Sequence, residues 1–330
     1  MPRLARFHQV GGPEVLQLDE VATPVPGRAE VLIETRALGL NRAEAAFRAG
    51  QYEEPVLPAG IGYEAAGIVR AVGEDVRHVG PGDAVSVIPA FGVNDYALHG
   101  ESVLAPAHAV IAHPSGLSWA EAAAAWMMFT TAYGGLVDIA GIGEHDPVLI
   151  PAASSSVGIA AIQICNALGA RPIALTRGSG KRQALLDAGA AEVIVTGEQQ
   201  VAAEVHRLTG GQGARVVFDP VGGPGFADLT AAMAAGGIAV IYGALAAEQT
   251  PLPVGDVLGK KLTVRGYVLI ETTAIAAKLA AAIEFIRHGL ETGVLKPVIS
   301  EIFDLDDIVA AHEHLESNTQ LGKIVVRVPR

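Results

Sequence analysis

The sequence predicts an α/β protein: a doubly wound parallel sheet accompanied by a β-rich, barrel-like domain. Three observations lead there. From Val148 onward, short apolar runs alternate with segments of helical periodicity, the pattern of parallel strands joined by crossover helices. Before about residue 124 the pattern is different, with strand-length runs broken by glycine and proline clusters. The third is the stretch from Val148 to Lys181, VLIPAASSSVGIAAIQICNALGARPIALTRGSGK, in which a strand, a turn of small residues, a helix and a second strand follow one another.

That stretch also points to a ligand. A dinucleotide pyrophosphate is anionic, and the first amides of a helix are unpaired donors at its positive end. Small side chains let phosphate reach those amides. Ala153, Ser154, Ser155, Ser156, Val157 and Gly158 supply them, with Ala153 and Ser155 standing where the usual fingerprint has its first two glycines. An ordinary small-residue βα turn gives the same pattern. Val157, Ala161, Ile164, Cys165 and Leu168 recur at helical spacing, and Gly169 is the expected left-handed stop.

Composition narrows the classes. The 330 residues are 50% hydrophobic and 18% charged, which excludes a disordered chain. A net charge of −12 argues against a nucleic-acid partner. The single cysteine, Cys165, forms no intrachain disulfide and reads as a core thiol. The N-terminus lacks an apolar signal region, and no run of about 18 apolar residues occurs. A cytoplasmic protein without membrane contact is expected.

Taken in order, Leu4 to His8, Val15 to Leu18 and Val31 to Ala37 read as strands. Asn41 precedes a short helix ending at Gly50. Glycine-punctuated strands between Leu57 and Val87 suggest a small barrel, with a turn at Pro81-Gly82-Asp83, and Asn94 to Leu104 reads as further strand. Ser118 with Glu121 forms a capping box before a helix from Trp119 to Ala125. Strands are predicted at 148–150, 172–176, 192–195, 215–219, 238–242 and 262–267, then a helix from about Thr273 to His288. Val298 to Phe303 and Lys323 to Val328 read as strands returning to the first domain. The predicted domains are therefore 1–124 with 268–330, and 125–267.

Four segments together, LPAGIGYEAAGIVRAVGEDVRHVGPGDAV, AASSSVGIAAIQICNALGA, VVFDPVGG and LGKIVV, resemble the medium-chain dehydrogenase/reductase superfamily, and within it the zinc-free quinone oxidoreductase (zeta-crystallin-like) branch. The resemblance implies a GroES-like catalytic domain with a Rossmann domain inserted. Zinc-dependent relatives place a cysteine near Asn41 and a histidine directly before Glu64. Here the second position is Tyr63 and the four-cysteine lobe is missing, so no metal is expected. His99, His108, His113, His312 and His314 lack paired ligand spacing.

Without a Lewis acid, hydride transfer favours acceptors that stabilise their own negative charge, quinones or α,β-unsaturated carbonyls. The resemblance places Asn41 and Tyr52 in the segment lining the nicotinamide pocket, with Tyr52 as proton donor and Tyr63 a weaker candidate. It also implies cofactor contacts at Thr131, Thr196, Pro220, Tyr242, Gly243 and Asn318, and a homodimer through Lys261 to Tyr267, which carries Leu262 and Val264. About 20 residues beyond the turn, where NAD sites carry an acid, the chain reads Leu175-Thr176-Arg177-Gly178-Ser179-Gly180-Lys181. Thr176, Arg177, Ser179 and Lys181 suit a 2′-phosphate, so NADPH is the expected cofactor. A solvated cationic loop reads the same way. The alternatives are a zinc-independent alcohol, aldehyde or enoyl-thioester reductase, or a weakly active NADPH-binding protein.

Overall fold

The computed structural model describes residues 1–329, and the chain divides into two compact units. Unit 1 holds Met1–Met128 and the segment from Arg287 onward; unit 2 is Phe129–Ile286. The sequence places these boundaries at 124 and 268, and the second shifts furthest. The residues after 267 stay with unit 2 because the Tyr267 hydroxyl bonds Thr272 Oγ1 at 3.0 Å, Lys278 pairs with Asp138 at 2.7 Å, and Tyr133 packs on Phe285.

In unit 1 the chain forms β1 (Arg3–Phe7), β2 (Leu16–Glu20), β3 (Glu30–Gly39), α1 (Arg42–Arg48), β4 (Ala59–Gly60), β5 (Glu64–Val72), β6 (Ala84–Val87), β7 (Ser102–Pro106), β8 (Val110–Ala112) and the start of α2 (Trp119–Tyr133). Residues 94–101 are not strand. Gly92 and Asp95 close a turn there, and Asn94 spends its side chain on the loop at Glu54 and Val56. Helix α2 runs further than predicted and continues as a wider-pitched turn, Gly134–Ile139.

Unit 2 contains β9 (Pro147–Ile150), α3 (Ser156–Ala167), β10 (Arg171–Thr176), α4 (Arg182–Asp187), β11 (Glu192–Val195), α5 (Val201–Leu208), β12 (Ala214–Asp219), α6 (Phe226–Ala231), β13 (Met233–Ile241), α7 (Val254–Lys260), β14 (Thr263–Gly266), α8 (Ile270–Thr273) and most of α9 (Ala276–Thr292). The chain then re-enters unit 1 with β15 (Ile299–Asp304), α10 (Ile308–Ser317) and β16 (Lys323–Arg327).

The unit 2 sheet runs β11-β10-β9-β12-β13-β14 with every neighbour parallel. Strand order reverses between β9 and β12, and a doubly wound sheet opens its ligand crevice at such a point, beyond the carboxyl ends of the strands. Leu149, Ile173, Val217, Phe226, Met233 and Ala239 fill one side of its core. In unit 1 the main sheet is β15-β16-β3-β5-β6-β8, with β7 on β3, and β2-β1-β4 forms a smaller sheet. No helix among the described residues is long and apolar enough to cross a membrane.

Small residues draw α2 onto the unit 1 sheet. Ala122, Ala123 and Ala124 pack against Ala37, Ala66 and Val325. Gly39 lies so close that a methyl group there would strike the Ala123 carbonyl oxygen and crowd Glu64 Oε1 at 2.7 Å. Gly39→Ala is therefore expected to lower stability by about 1–3 kcal/mol, read from the midpoint of chemical denaturation; an unchanged midpoint would refute this packing.

Candidate active site

In unit 2 the expected cofactor residues collect at one edge of the parallel sheet. Ala153 to Gly158 follow β9, Thr176 ends β10, Arg177 to Lys181 follow it, Thr196 follows β11, Pro220 follows β12, and Tyr242 and Gly243 follow β13. Backbone hydrogen bonds stitch these loops together: Ala153 N–H to Leu175 O at 3.3 Å, Thr196 N–H to Thr176 O at 2.8 Å, and Tyr242 N–H to Asp219 O at 2.9 Å. Thr131, buried in α2, belongs to the same unit.

The turn into α3 has the anatomy of an anion cradle. Ser155 caps the helix, its hydroxyl oxygen accepting from Gly158 N–H at 3.0 Å, which leaves the amides of Ser156 and Val157 as first-turn donors. Gly158 itself is required, since a Cβ there would meet the Ala153 carbonyl oxygen at 2.5 Å. The Lys181 ammonium donates to Ser154 Oγ at 3.2 Å, joining the cationic loop to this turn. Burial and the neighbouring Arg177 guanidinium both lower the Lys181 pKa, so two cations sit close enough to repel one another. A bound anion relieves that repulsion. Thr176 Oγ1 donates to Gly178 O at 3.2 Å and shapes the loop; Arg177 and Ser179 are exposed.

Two further residues hold this edge. Asp219 is buried, and its carboxylate accepts from Val221 N–H at 2.8 Å and Gly222 N–H at 3.1 Å; burial raises its pKa. In the motif DPVGG the resemblance implies only Pro220, and the aspartate before Pro-Val-Gly-Gly is the visible turn-forming signal. Tyr242 stacks on Phe218 with ring centroids 4.0 Å apart, and its hydroxyl is buried. Gly243 approaches Pro220 so closely that a Cβ would lie 2.7 Å from its carbonyl oxygen.

Unit 1 supplies a buried charged cluster. The Lys323 ammonium, from β16, pairs with Glu64 and donates to Asn41 Oδ1 at 2.6 Å. The Asn41 amide nitrogen donates to Glu44 Oε1, Glu64 Oε1 and the Gly39 carbonyl at 3.1–3.2 Å. Glu44 accepts the Asn41 and Tyr63 backbone N–H groups at 2.8 and 3.0 Å, and Glu64 accepts Met127 N–H at 2.9 Å. All four side chains are buried. The Asn41 side chain thus ties Gly39, Glu44, Glu64 and Lys323 together at the start of α1. Asn318, left-handed at the end of α10, accepts from Arg42 beside it.

Tyr52 lies on the loop after α1, 53% exposed. Its neighbour is Tyr63, nearly buried and stacked on Phe91 at 5.9 Å. Burial first, then the Glu53 carboxylate, raises the Tyr52 pKa, with Tyr63 acting in the opposite direction. Among the described residues no group of three or more His, Cys, Asp or Glu converges as a metal site. His99 and His312 are core residues, their rings 6.1 Å apart, and His312 meets the buried Arg48 guanidinium at 3.0 Å. Sequence reading missed Lys323 and Glu44 as site residues; a lysine inside the apolar strand KIVV was the one visible signal.

Comparison with known proteins agrees with this architecture. Residues 27–133 match the alcohol dehydrogenase GroES-like domain and residues 156–288 the zinc-binding dehydrogenase family. The quinone oxidoreductase of Salmonella typhimurium is 32% identical over 328 residues, 96% of each chain. Escherichia coli quinone oxidoreductase, solved in complex with NADPH, is 30% identical with a TM-score of 0.91, covering 99% of this chain and 100% of that one. An NAD-dependent alcohol dehydrogenase structure gives 32% identity and a TM-score of 0.92 over 99% and 100%. Full-length relatives and a sheet that reverses its order at β9 and β12 lead to one conclusion: the chain belongs to the medium-chain dehydrogenase/reductase superfamily, as an oxidoreductase of its quinone oxidoreductase branch.

Proposed function

We propose that this oxidoreductase uses NADPH to reduce quinones or α,β-unsaturated carbonyl compounds, without zinc. The observation that carries the cofactor reading is the joining of Lys181, beside Arg177, to the Ser154 turn. NADPH, when bound, supplies the hydride. This chain's own residues do the rest. The α3 amides and Ser155 bind pyrophosphate, Arg177 and Lys181 hold the 2′-phosphate, and Asp219 keeps the Pro220 turn in place. Asn41 is a positioning residue. Tyr52 donates the proton: its O–H bond breaks, the proton passes to the oxyanion of the reduced acceptor, and water restores the phenol.

Two facts support a metal-free reaction. Asn41 and Glu64 already hold an ammonium ion, that of Lys323, and Tyr63 offers no zinc ligand. The rival reading is an NAD-dependent alcohol dehydrogenase, favoured by one structural neighbour. It wants a carboxylate on the Thr176–Lys181 loop, and none is present.

NADPH oxidation with a panel of quinones, enones and enoyl thioesters tests the reaction; steady turnover is expected with at least one class, and none with any of them would leave only a binding protein. NADPH should be preferred over NADH by about one to three powers of ten in kcat/KM. Arg177→Asp should cut that preference at least tenfold with NADH use nearly unchanged, and an unaltered ratio would show that this loop does not read the phosphate.

Purified protein should carry no stoichiometric zinc, and chelators should leave the rate unchanged. About one zinc per chain, lost together with activity, would overturn the metal-free reading.

We also propose a homodimer through β14, which is the sheet edge and exposed along Thr263–Gly266. Leu262 and Tyr267 are buried within their own chain, so Val264 with exposed Leu258, Val268 and Ile270 supplies the apolar contact. Sedimentation should give a dimer, and Val264→Lys should shift it to monomer; a concentration-independent monomer in the parent protein counts against the assembly.

A further inference from the structure

We propose that Thr250 is a positioning residue for NADPH: its hydroxyl oxygen clamps the strap between β13 and α7 onto the Pro220 turn, and the cofactor binds the clamped form. The inference rests on NADPH as cofactor with Pro220 among its contacts, and extends that reading to a residue outside the rim described above. From Tyr242 to Pro253 the chain has neither helix nor strand. Its far end is fixed on α6, where Thr230 Oγ1 donates to Asp256 at 3.0 Å and the Lys260 ammonium donates to the Thr230 and Ala231 carbonyls at 2.8 and 2.7 Å. Between its ends the strap lies on the turn. Leu245 N–H donates to Pro220 O at 3.1 Å, Ala246 N–H donates to Val221 O at 2.9 Å, and Thr250 Oγ1 accepts Gly223 N–H at 2.8 Å.

The turn itself explains why this contact matters. Asp219 takes the amides of Val221 and Gly222, and Thr250 takes the next one, that of Gly223. With these amides engaged, the turn meets a ligand as a fixed surface, and its position decides the fit. Gly222 and Gly223 are both left-handed, and their missing side chains make room for the strap. A Cβ on Gly222 would lie 2.6 Å from Thr250 Oγ1, and one on Gly223 would lie 2.5 Å from the Ala246 Cβ. Thr250 precedes Pro251, which restricts its backbone to extended conformations, so clamping it orders little that was free. An unclamped strap would leave the Gly223 amide without its acceptor, and the ordering of the turn would then be charged against cofactor binding. Linkage is reciprocal: NADPH must hold the strap down by the same factor by which the clamp strengthens NADPH.

Thr250→Val tests this, because it keeps the shape of an exposed side chain and removes only the acceptor. The Kd of NADPH should rise about three- to tenfold. At saturating NADPH, kcat and the KM for the acceptor should stay within about twofold, and so should the midpoint of chemical denaturation expressed as denaturant concentration. Thr250→Ser, which keeps the oxygen, should return the Kd to within about twofold of the parent value. A merely structural role would not produce that split or that rescue. The strap reports on itself through Glu248, which is exposed. Cleavage after Glu248 by a glutamate-specific protease, read from fragment masses, tracks the unclamped population. It should speed up about three- to tenfold in Thr250→Val and slow down in the parent when NADPH is added. This last measurement needs no variant, so a misfolded Thr250→Val does not spare the proposal: cleavage of the parent at an equal rate with and without bound NADPH overturns it. Faster cleavage in Thr250→Val with an unchanged Kd also overturns it, since the cofactor would then ignore the clamp. In both cases NADPH still binds the parent and the cofactor reading stands; a parent that does not bind NADPH overturns that reading and the proposal together.

Discussion

The arrangement of unit 1 depends on one buried ion pair. Lys323 and Glu64 lie 259 residues apart in sequence and meet in the interior with Asn41 and Glu44 around them. Burying charge is costly unless each group finds partners, and here the partners come from five elements at once. β16 brings the ammonium, the end of β3 brings the Gly39 carbonyl, α1 brings Glu44, β5 brings Glu64 and α2 brings the Met127 amide. Any shift of one element strands a charge. The cluster therefore fixes the C-terminal return against the N-terminal sheet, and it sets the start of α1, from which the Tyr52 loop departs.

Unit 2 obtains order differently, from topology. A parallel sheet sends every strand's carboxyl end to the same edge, so turns far apart in sequence share one rim. Ser154 and Lys181 touch there although a helix and a strand separate them. Fixed dipoles and cations on that rim cost nothing to reorganise when an anion arrives.

Unit 2 was largely legible in the sequence because periodicity reports it directly. The strand at Val148, the cap-like serines and Gly169 are local signals, and so is the absent acid between Thr176 and Lys181. What stayed hidden was pairwise. Nothing near Lys323 tells that its ammonium ends on Glu64 and on the Asn41 amide oxygen. Tyr63 reads as no more than a weaker candidate beside Tyr52, since sequence carries no distances. The segment 94–101 looked like strand because its hydrophobic spacing says nothing of the Asn94 side chain. The boundary near 268 lies elsewhere for a related reason: the ties of Lys278 to Asp138 and of Phe285 to Tyr133 are tertiary.

Both passages of the chain between the units fall inside helices, at Met128–Phe129 within α2 and Ile286–Arg287 within α9. A linker of glycine and proline would leave each unit with finished ends. Cutting a helix instead leaves its last four carbonyls or first four amides without partners. Excision of residues 129–286 thus severs two helical hydrogen-bond ladders. The cofactor unit is not a detachable cassette, and recombination with a homologue's cofactor unit calls for junctions beyond the helix ends rather than at the compact-unit boundaries.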